Sequence, residues 1–278
     1  MEKNNTRNNK FGHEFKKSLG QNFIDDKNLL VSIAQDAGVT NEDIVVEVGA
    51  GAGTLTNVLA SRARGVISFE VDESLTETLK AIEEEHTNLK IIFKDILKVT
   101  EEEIEKLIAY NFGDFQEYKV VANIPYYITS PIILKFLGVK KVSSIMVMVQ
   151  KEVAERITSK PKSKDYGAIS VLVQSFSCPK LSRIVKKHNF YPVPKVDSAL
   201  LKIDKKEIEL TDAQKEAYAN FIQKAFLARR KTLVNNLMMG YMLPRQKAEE
   251  LVSGAGFSLS VRPEELSPAD FIKLFMNL

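Results

Sequence analysis

The tetrapeptide Asn123-Ile124-Pro125-Tyr126 places a carboxamide, two backbone carbonyls and a phenol ring within four consecutive residues. It follows the apolar run Tyr118-Lys119-Val120-Val121-Ala122, which reads as a short buried strand; the proline ends it because it supplies no backbone donor. In an open α/β sheet, ligands gather outside the carboxyl ends of the strands, so this tip would present its polar atoms to a crevice. The set suits a planar base with an exocyclic amine. The Asn123 oxygen and a carbonyl accept the amine's hydrogens, and Tyr126 stacks on the ring. In the later stretch Asn189-Phe190-Tyr191-Pro192-Val193-Pro194-Lys195, two prolines fix an extended connector. Phe190 there offers a second face to the base, the alternative being an ordinary buried aromatic of the turn.

A second constellation begins at Ile44-Val45-Val46-Glu47-Val48, a β-branched strand followed at once by Gly49-Ala50-Gly51-Ala52-Gly53 and a helix entering through Thr54. Strand, glycine turn and helix form the unit in which a ligand approaches bare backbone at a helix N-terminus. Three positions beyond Gly51 stands Thr54, so the pattern is E-x-G-x-G-x-G, not the pyrophosphate fingerprint G-x-G-x-x-G, and NAD is disfavoured. It resembles the first motif of S-adenosylmethionine-dependent methyltransferases, whose cofactor has no phosphate; tight packing with no ligand is the alternative. The next strand, Gly65 to Phe69, ends in Glu70, about twenty positions past the glycines, where an acid accepts ribose hydroxyls. Asp72 is expected to cap the helix beginning near Glu73. A third strand, Leu89 to Phe93, is followed by Asp95 and Ile96, an acid and an amide placed for an adenine edge beside an apolar wall. Taken singly, Asp95 would be read as a cap or turn residue.

These residues need a scaffold of alternating strands and helices, and the chain supplies it. Thr100 to Ile108 is an acidic amphipathic helix, and Ser144 to Gln150 a buried strand whose methionines fill core. Lys151 to Ile157 is helical, Ser159 to Tyr166 a mobile surface loop near the crevice mouth, and a short helix runs from Gly167 to Phe176. Two β-patterned segments follow, Leu181 to Lys187 and Val196 to Ile203. The charged run Asp204 to Glu207 marks a linker. Beyond it the sequence predicts a helix over Asp212 to Ala228, continuing through Arg229 to Leu237 with a basic tip, then Pro244 to Ser253 and Pro268 to Leu278, a small bundle. The fold class is therefore α/β, a Rossmann-like, mostly parallel sheet with an antiparallel edge plus a small all-α C-terminal domain. The expected divisions are a flexible leader 1–14, a catalytic domain 15–206 and a helical RNA-contacting domain 207–278.

Composition bounds the function. With 44% hydrophobic and 27% charged residues in 278, the chain is globular, and its net charge of +3 alone says little about partners. Between residues 180 and 240, however, thirteen Lys/Arg stand against six Asp/Glu. Arg229, Arg230 and Lys231 are read as phosphate contacts that position RNA without reading its sequence, or else as a solvated helix face. One cysteine and three histidines give no disulfide and no metal-ligand spacing. With no apolar stretch of membrane-spanning length and a polar start, a cytoplasmic protein without membrane attachment is expected.

Five stretches together resemble one family: Phe15 to Ile24, Glu47 to Gly53, Asn123 to Pro131, Gln150 to Arg156 and Phe190 to Ser198 are similar to the small-subunit ribosomal RNA adenine dimethyltransferases of the kasugamycin-sensitivity type. The resemblance implies a class I methyltransferase sheet. It also implies transfer of methyl groups from S-adenosylmethionine to N6 of two adjacent adenosines in the 3′-terminal hairpin of 16S RNA, late in 30S subunit assembly. It puts Asn22, Ile24, Gly49, Glu70, Asp95 and Asn123 around the cofactor, beside the Gly51 and Ile96 already read from the strand tips, and Asn123, the Ile124 and Pro125 carbonyls, Tyr126 and Phe190 around the target adenine, with Gln21 and Asn22 closing over the cofactor. No metal is implied, and a monomer is expected. Ile24 and Ile124 stand where Leu is more usual, volume-conserving changes. A large-subunit adenine dimethyltransferase of the antibiotic-resistance type shares the motifs up to the fourth strand, and a non-catalytic RNA-binding assembly factor is the rival of another class.

Overall fold

The computed structural model describes residues 23, 24, 26–208 and 210–278. In chain order its elements are β1 (Phe23–Ile24), α1 (Lys27–Asp36), β2 (Ile44–Val48), α2 (Thr54–Ala60), β3 (Gly65–Glu70), α3 (Thr76–Glu85), β4 (Leu89–Phe93), α4 (Glu101–Phe112), β5 (Tyr118–Ala122), α5 (Tyr126–Gly138), β6 (Val142–Gln150), α6 (Lys151–Ile157), α7 (Ala168–Phe176), β7 (Ser177–Val185), β8 (Phe190–Tyr191), β9 (Ser198–Lys205), α8 (Asp212–Ala225), α9 (Leu233–Tyr241), α10 (Arg245–Gly254) and α11 (Pro268–Met276). They pack as two compact units. One takes in the described residues up to Gln150 with Ser182–Lys202; the other is Lys151–Leu181 with Ile203–Leu278. Packing thus groups Lys151–Leu181 with the C-terminal helices, whereas the boundary drawn along the sequence lies at 206/207.

Among the described residues the main sheet has the order β4-β3-β2-β5-β6-β9-β7. β4, β3, β2, β5 and β6 run parallel, and an antiparallel edge completes a mixed, mostly parallel sheet. Every residue of β2 and β3 is buried, as it must be for Val/Ile-rich strands covered on both faces. The chain enters the sheet at β2, winds outward to β4, and returns on the other side of β2 as β5. The direction of winding therefore reverses between β2 and β5, where an open α/β sheet opens its crevice. Register sharpens the consequence. Val48 pairs with Ala122, so Gly49 and Asn123, each one residue further, leave the sheet side by side.

Short-range signals set the helix starts. Asp26 caps α1 by accepting from the amides of Asn28 and Leu29, and Thr100 forms a capping box with Glu103 at α4. The core of this unit, built on Leu30, Ile33, Val45, Leu59, Val66, Leu79, Val121 and Met146, includes Phe190 from the connector.

The other unit holds its own core, with Val171, Tyr218, Phe221, Leu237, Val252 and Phe271 at its centre. The Tyr218 hydroxyl shares a hydrogen bond of 2.7 Å with Ser175 Oγ, which satisfies a polar atom that burial would otherwise penalise. Two expectations are corrected here. The segment Ser159 to Tyr166 is a surface loop, but one tied down at two points: Tyr166 is buried and its hydroxyl donates to the Leu266 carbonyl at 2.9 Å, and the Lys162 amide donates to the Glu264 carbonyl at 2.7 Å. The predicted helix through Arg229 is broken. α8 ends at Ala225, residues 226–232 form a turn, and Thr232 caps α9 through the Asn235 amide. Asn236, fully buried, holds that turn by accepting from the Ala228 amide and donating to the Ala228 carbonyl. Local helix propensity lost to this cap and the buried amide.

Candidate active site

One cavity lies at the β2/β5 switch point. Around it stand the glycine turn with Gly49, Ala50 and Gly51, the β3 end with Glu70, the β4 end with Asp95 and Ile96, and the β5 tip from Asn123 to Ile128; Ile24 and Phe190 also line it. Of the residues expected around cofactor and base, Ile24, Gly49, Gly51, Glu70, Asp95, Ile96, Asn123, Tyr126 and Phe190 are thus brought to one place. Asn22 and Gln21 lie outside the described residues. Arg229, Arg230 and Lys231 belong to the other unit, all exposed on the turn before α9, with the Arg229 guanidinium donating to the Lys164 carbonyl.

The turn needs its glycines for conformation and for space. Gly49 has φ +81° and Gly51 φ +56°, values L side chains rarely adopt. A Cβ on Gly49 would stand 3.0 Å from Ile124 Cγ2 and 3.5 Å from the Asn123 carbonyl oxygen. A Cβ on Gly51 would stand 2.8 Å from Phe23 Cε1. The backbone here is bare because its neighbours already touch it.

Glu70 is nearly buried and fixes the turn. Its Oε2 accepts the Gly51 amide at 2.8 Å, while Oε1 accepts the amides of Val71 and Asp72 at 2.8 and 2.9 Å. A carboxylate offers about four acceptor positions, so one remains on Oε2 for an incoming hydroxyl. Asp95 keeps its structural duty too, accepting the Leu97 amide at 3.0 Å as the cap of a short 3-10 turn. Asp72 caps the 3-10 turn that precedes α3, as expected. At the β5 tip, Tyr126 is half-buried and its hydroxyl shares a 2.6 Å bond with Ser198 Oγ, which orients the ring; burial raises the phenol pKa and the Ser198 bond partly offsets it. The Pro125 carbonyl is already engaged by the Ile128 amide at 3.2 Å and Thr129 Oγ1 at 3.4 Å.

Two features escaped the sequence. Glu47 is wholly buried, Thr56 and Ser68 hydroxyls both donate to its Oε2 at 2.6 Å, and Oε1 has no partner. Loss of hydration pushes its pKa up to about 7, the two hydroxyls opposing this and the nearby Glu70 charge adding to it. The motif spelling shows an acid there but not its burial. The second feature is the antiparallel pair β1–β8, with Phe23 opposite Tyr191 and Ile24 opposite Phe190. Two-residue strands are too short for periodicity to register.

The donor and acceptor set fits S-adenosylmethionine: bare backbone at the glycine turn, a spare acceptor on Glu70 for a ribose hydroxyl, and Asp95 with the buried Ile96 for an adenine edge. Among the described residues, no cluster of His, Cys, Asp or Glu is placed to hold a metal, and no helix is long and apolar enough to cross a membrane.

The chain is 42% identical over 270 residues to a ribosomal RNA small subunit methyltransferase A of Bacillus pumilus, covering 95% of this chain and 91% of that protein. It is 40% identical over 267 residues to its namesake of Clostridium acetobutylicum, covering 95% and 94%. Among solved structures, the 23S rRNA methyltransferase ErmE superposes with a TM-score of 0.67 at 26% identity, covering 92% of this chain and 99% of that one. A dimethyladenosine transferase from Plasmodium falciparum superposes at 0.73 with 24% identity, covering 91% and 95%, a likeness of fold. A family model described as ribosomal RNA adenine dimethylase matches residues 12–278, nearly the whole chain, and the protein therefore belongs to that family.

Proposed function

We infer that this protein is an S-adenosylmethionine-dependent methyltransferase that dimethylates N6 of two adjacent adenosines in the 3′-terminal hairpin of small-subunit ribosomal RNA. The observation that carries the reading is the contact of the β5 tip with the glycine turn, Asn123 and Ile124 lying against Gly49. Relatives near 40% identity carry small-subunit names, which favours that substrate over the large-subunit RNA named for ErmE.

When bound, the cofactor supplies an electrophilic methyl group on a sulfonium. Glu70 and Asp95 would hold its ribose and adenine, and Gly49 and Gly51 would line its path along the turn. Ile24 and the Ile96 amide complete its surroundings.

An adenine N6 amine is a poor nucleophile because its lone pair is delocalised into the ring. Asn123 Oδ1 and a backbone carbonyl accept its hydrogens, two before the first methylation and the one that remains before the second, and hold that lone pair towards the Gly49 side of the cavity; the proton that N6 loses each time, acidified once the nitrogen is quaternised, passes to solvent. The Ile124 carbonyl is the better candidate, since the Pro125 carbonyl is occupied at the start of α5. Tyr126 and Phe190 flank the base once it has left its stack. Rate enhancement then comes from positioning and from charge placed in advance, without a dedicated general base. Arg229, Arg230 and Lys231 contribute phosphate contacts.

The test is incubation with labelled S-adenosylmethionine and unmethylated small or large ribosomal subunits, followed by mapping of dimethyladenosine. Label at two adjacent adenosines of the small-subunit RNA is expected. Label only in large subunits, or none, contradicts the reading.

A further inference from the structure

The pair β1–β8 joins two parts of the cavity that the sequence keeps more than 160 residues apart. On one side, the Phe23 ring lies against Gly51, and the Ile24 carbonyl accepts from Thr54 Oγ1 in the first turn of α2 at 3.2 Å. On the other, Ile24 pairs with Phe190 and Phe23 with Tyr191. An isolated two-stranded pair this short is marginal in water, so something else must hold it. Burial does so. Phe23 is 6% exposed, Ile24 1% and Phe190 3%, and the last two belong to the core cluster that also contains Ala50 and Leu55.

We propose that Phe23 is a positioning residue: by clamping the Phe190 strand to the glycine turn, it makes cofactor and RNA bind cooperatively. The proposal rests on the functional reading above. A ligand that fixes the glycine turn fixes the surface on which Phe23 packs, and through β1 the backbone carrying Phe190. A base held by Phe190 fixes the same ribbon from the other end. Binding linkage is reciprocal, so each ligand must then tighten the other by the same factor.

The experiment is calorimetric titration of S-adenosylhomocysteine into the full chain, with and without saturating RNA hairpin bearing two adjacent adenosines. Wild type is expected to bind the cofactor product roughly tenfold more tightly when RNA is present, within the usual range for coupled sites. In Phe23→Ala that ratio falls to about one while binding to each ligand alone weakens less. Thr54→Val, which removes the hydroxyl bonded to the Ile24 carbonyl and leaves the ring untouched, lowers the ratio part of the way and covers the case in which Phe23→Ala does not fold. A wild-type ratio of one overturns the proposal, as does a tenfold ratio that survives in both variants. Failure of the wild type to bind S-adenosylhomocysteine at all overturns the functional reading itself, and the coupling with it.

Discussion

The Glu70 carboxylate and the Gly51 amide are bonded across the cavity floor at 2.8 Å, so the acid expected to receive the ribose also shapes the turn beneath it. Three amide donors converge on Glu70. In Glu70→Gln the amide nitrogen must face at least one of them. Hydrogen bonds to a charged group contribute about 1.5–3 kcal/mol, so cofactor affinity should fall roughly ten- to a hundredfold. Calorimetry with S-adenosylmethionine checks this; an affinity within about twofold of wild type would show that Glu70 serves the turn alone.

Glu47 gives a pH signature. Its folded pKa, about 7, lies above the 4.5 of an ordinary glutamate in the unfolded chain, so the folded state holds the proton more tightly. Stability from this group is complete below pH 4.5 and is lost as pH rises through about 7, a difference on the order of 3 kcal/mol at 1.36 kcal/mol per unit. Glu47→Gln removes the titration while its carbonyl can still accept from Thr56 and Ser68. Urea unfolding should therefore show the wild type losing stability from pH 5 to 8 relative to the variant. Parallel pH profiles would refute the assignment.

Tyr126 separates ring from hydroxyl. Tyr126→Phe loses the bond to Ser198 Oγ, costing on the order of 1 kcal/mol of stability, and keeps the stacking face. Tyr126→Ala loses the face, which is worth about 1–3 kcal/mol per stacked base. The Phe variant should retain most methyl transfer, and the Ala variant should raise the RNA KM roughly ten- to a hundredfold. Equal losses in both would mean that the hydroxyl, not the ring, is what the reaction needs.

The basic turn before α9 predicts a salt effect. Replacing Arg230 and Lys231 by Ala should reduce the slope of log K for RNA against log salt by about 1.4–1.8, near 0.7–0.9 per phosphate contact. Cofactor binding should stay as it was. An unchanged slope, measured by fluorescence anisotropy, removes these residues from the interface.

The sequence carried the parts of this molecule that are set locally. The strand before Gly49, the glycine spacing, Asp72 as a cap, and the acids at the ends of β3 and β4 follow from composition and order because each depends on near neighbours. Long-range burial decided what it did not carry. Asn236 ends a helix that propensity would have continued through Arg229, and Tyr166 ties down a loop that its lysines and proline made look free. Glu47 reads as a motif letter, and only its complete burial in the folded chain raises its pKa towards neutrality. The pairing of Ile24 with Phe190 joins two dipeptides, each with no pattern of its own.

The central claim is that the β5 tip holds the nucleophile and leaves the cofactor's grip to other residues. Single-turnover methyl transfer by Asn123→Ala, set beside its calorimetric affinity for S-adenosylmethionine, tests it most directly. Transfer should fall by about a hundredfold or more, as when one preorganised polar group is removed, with cofactor affinity within about threefold of wild type. Equal loss of transfer and affinity, or no loss of either, would contradict the claim.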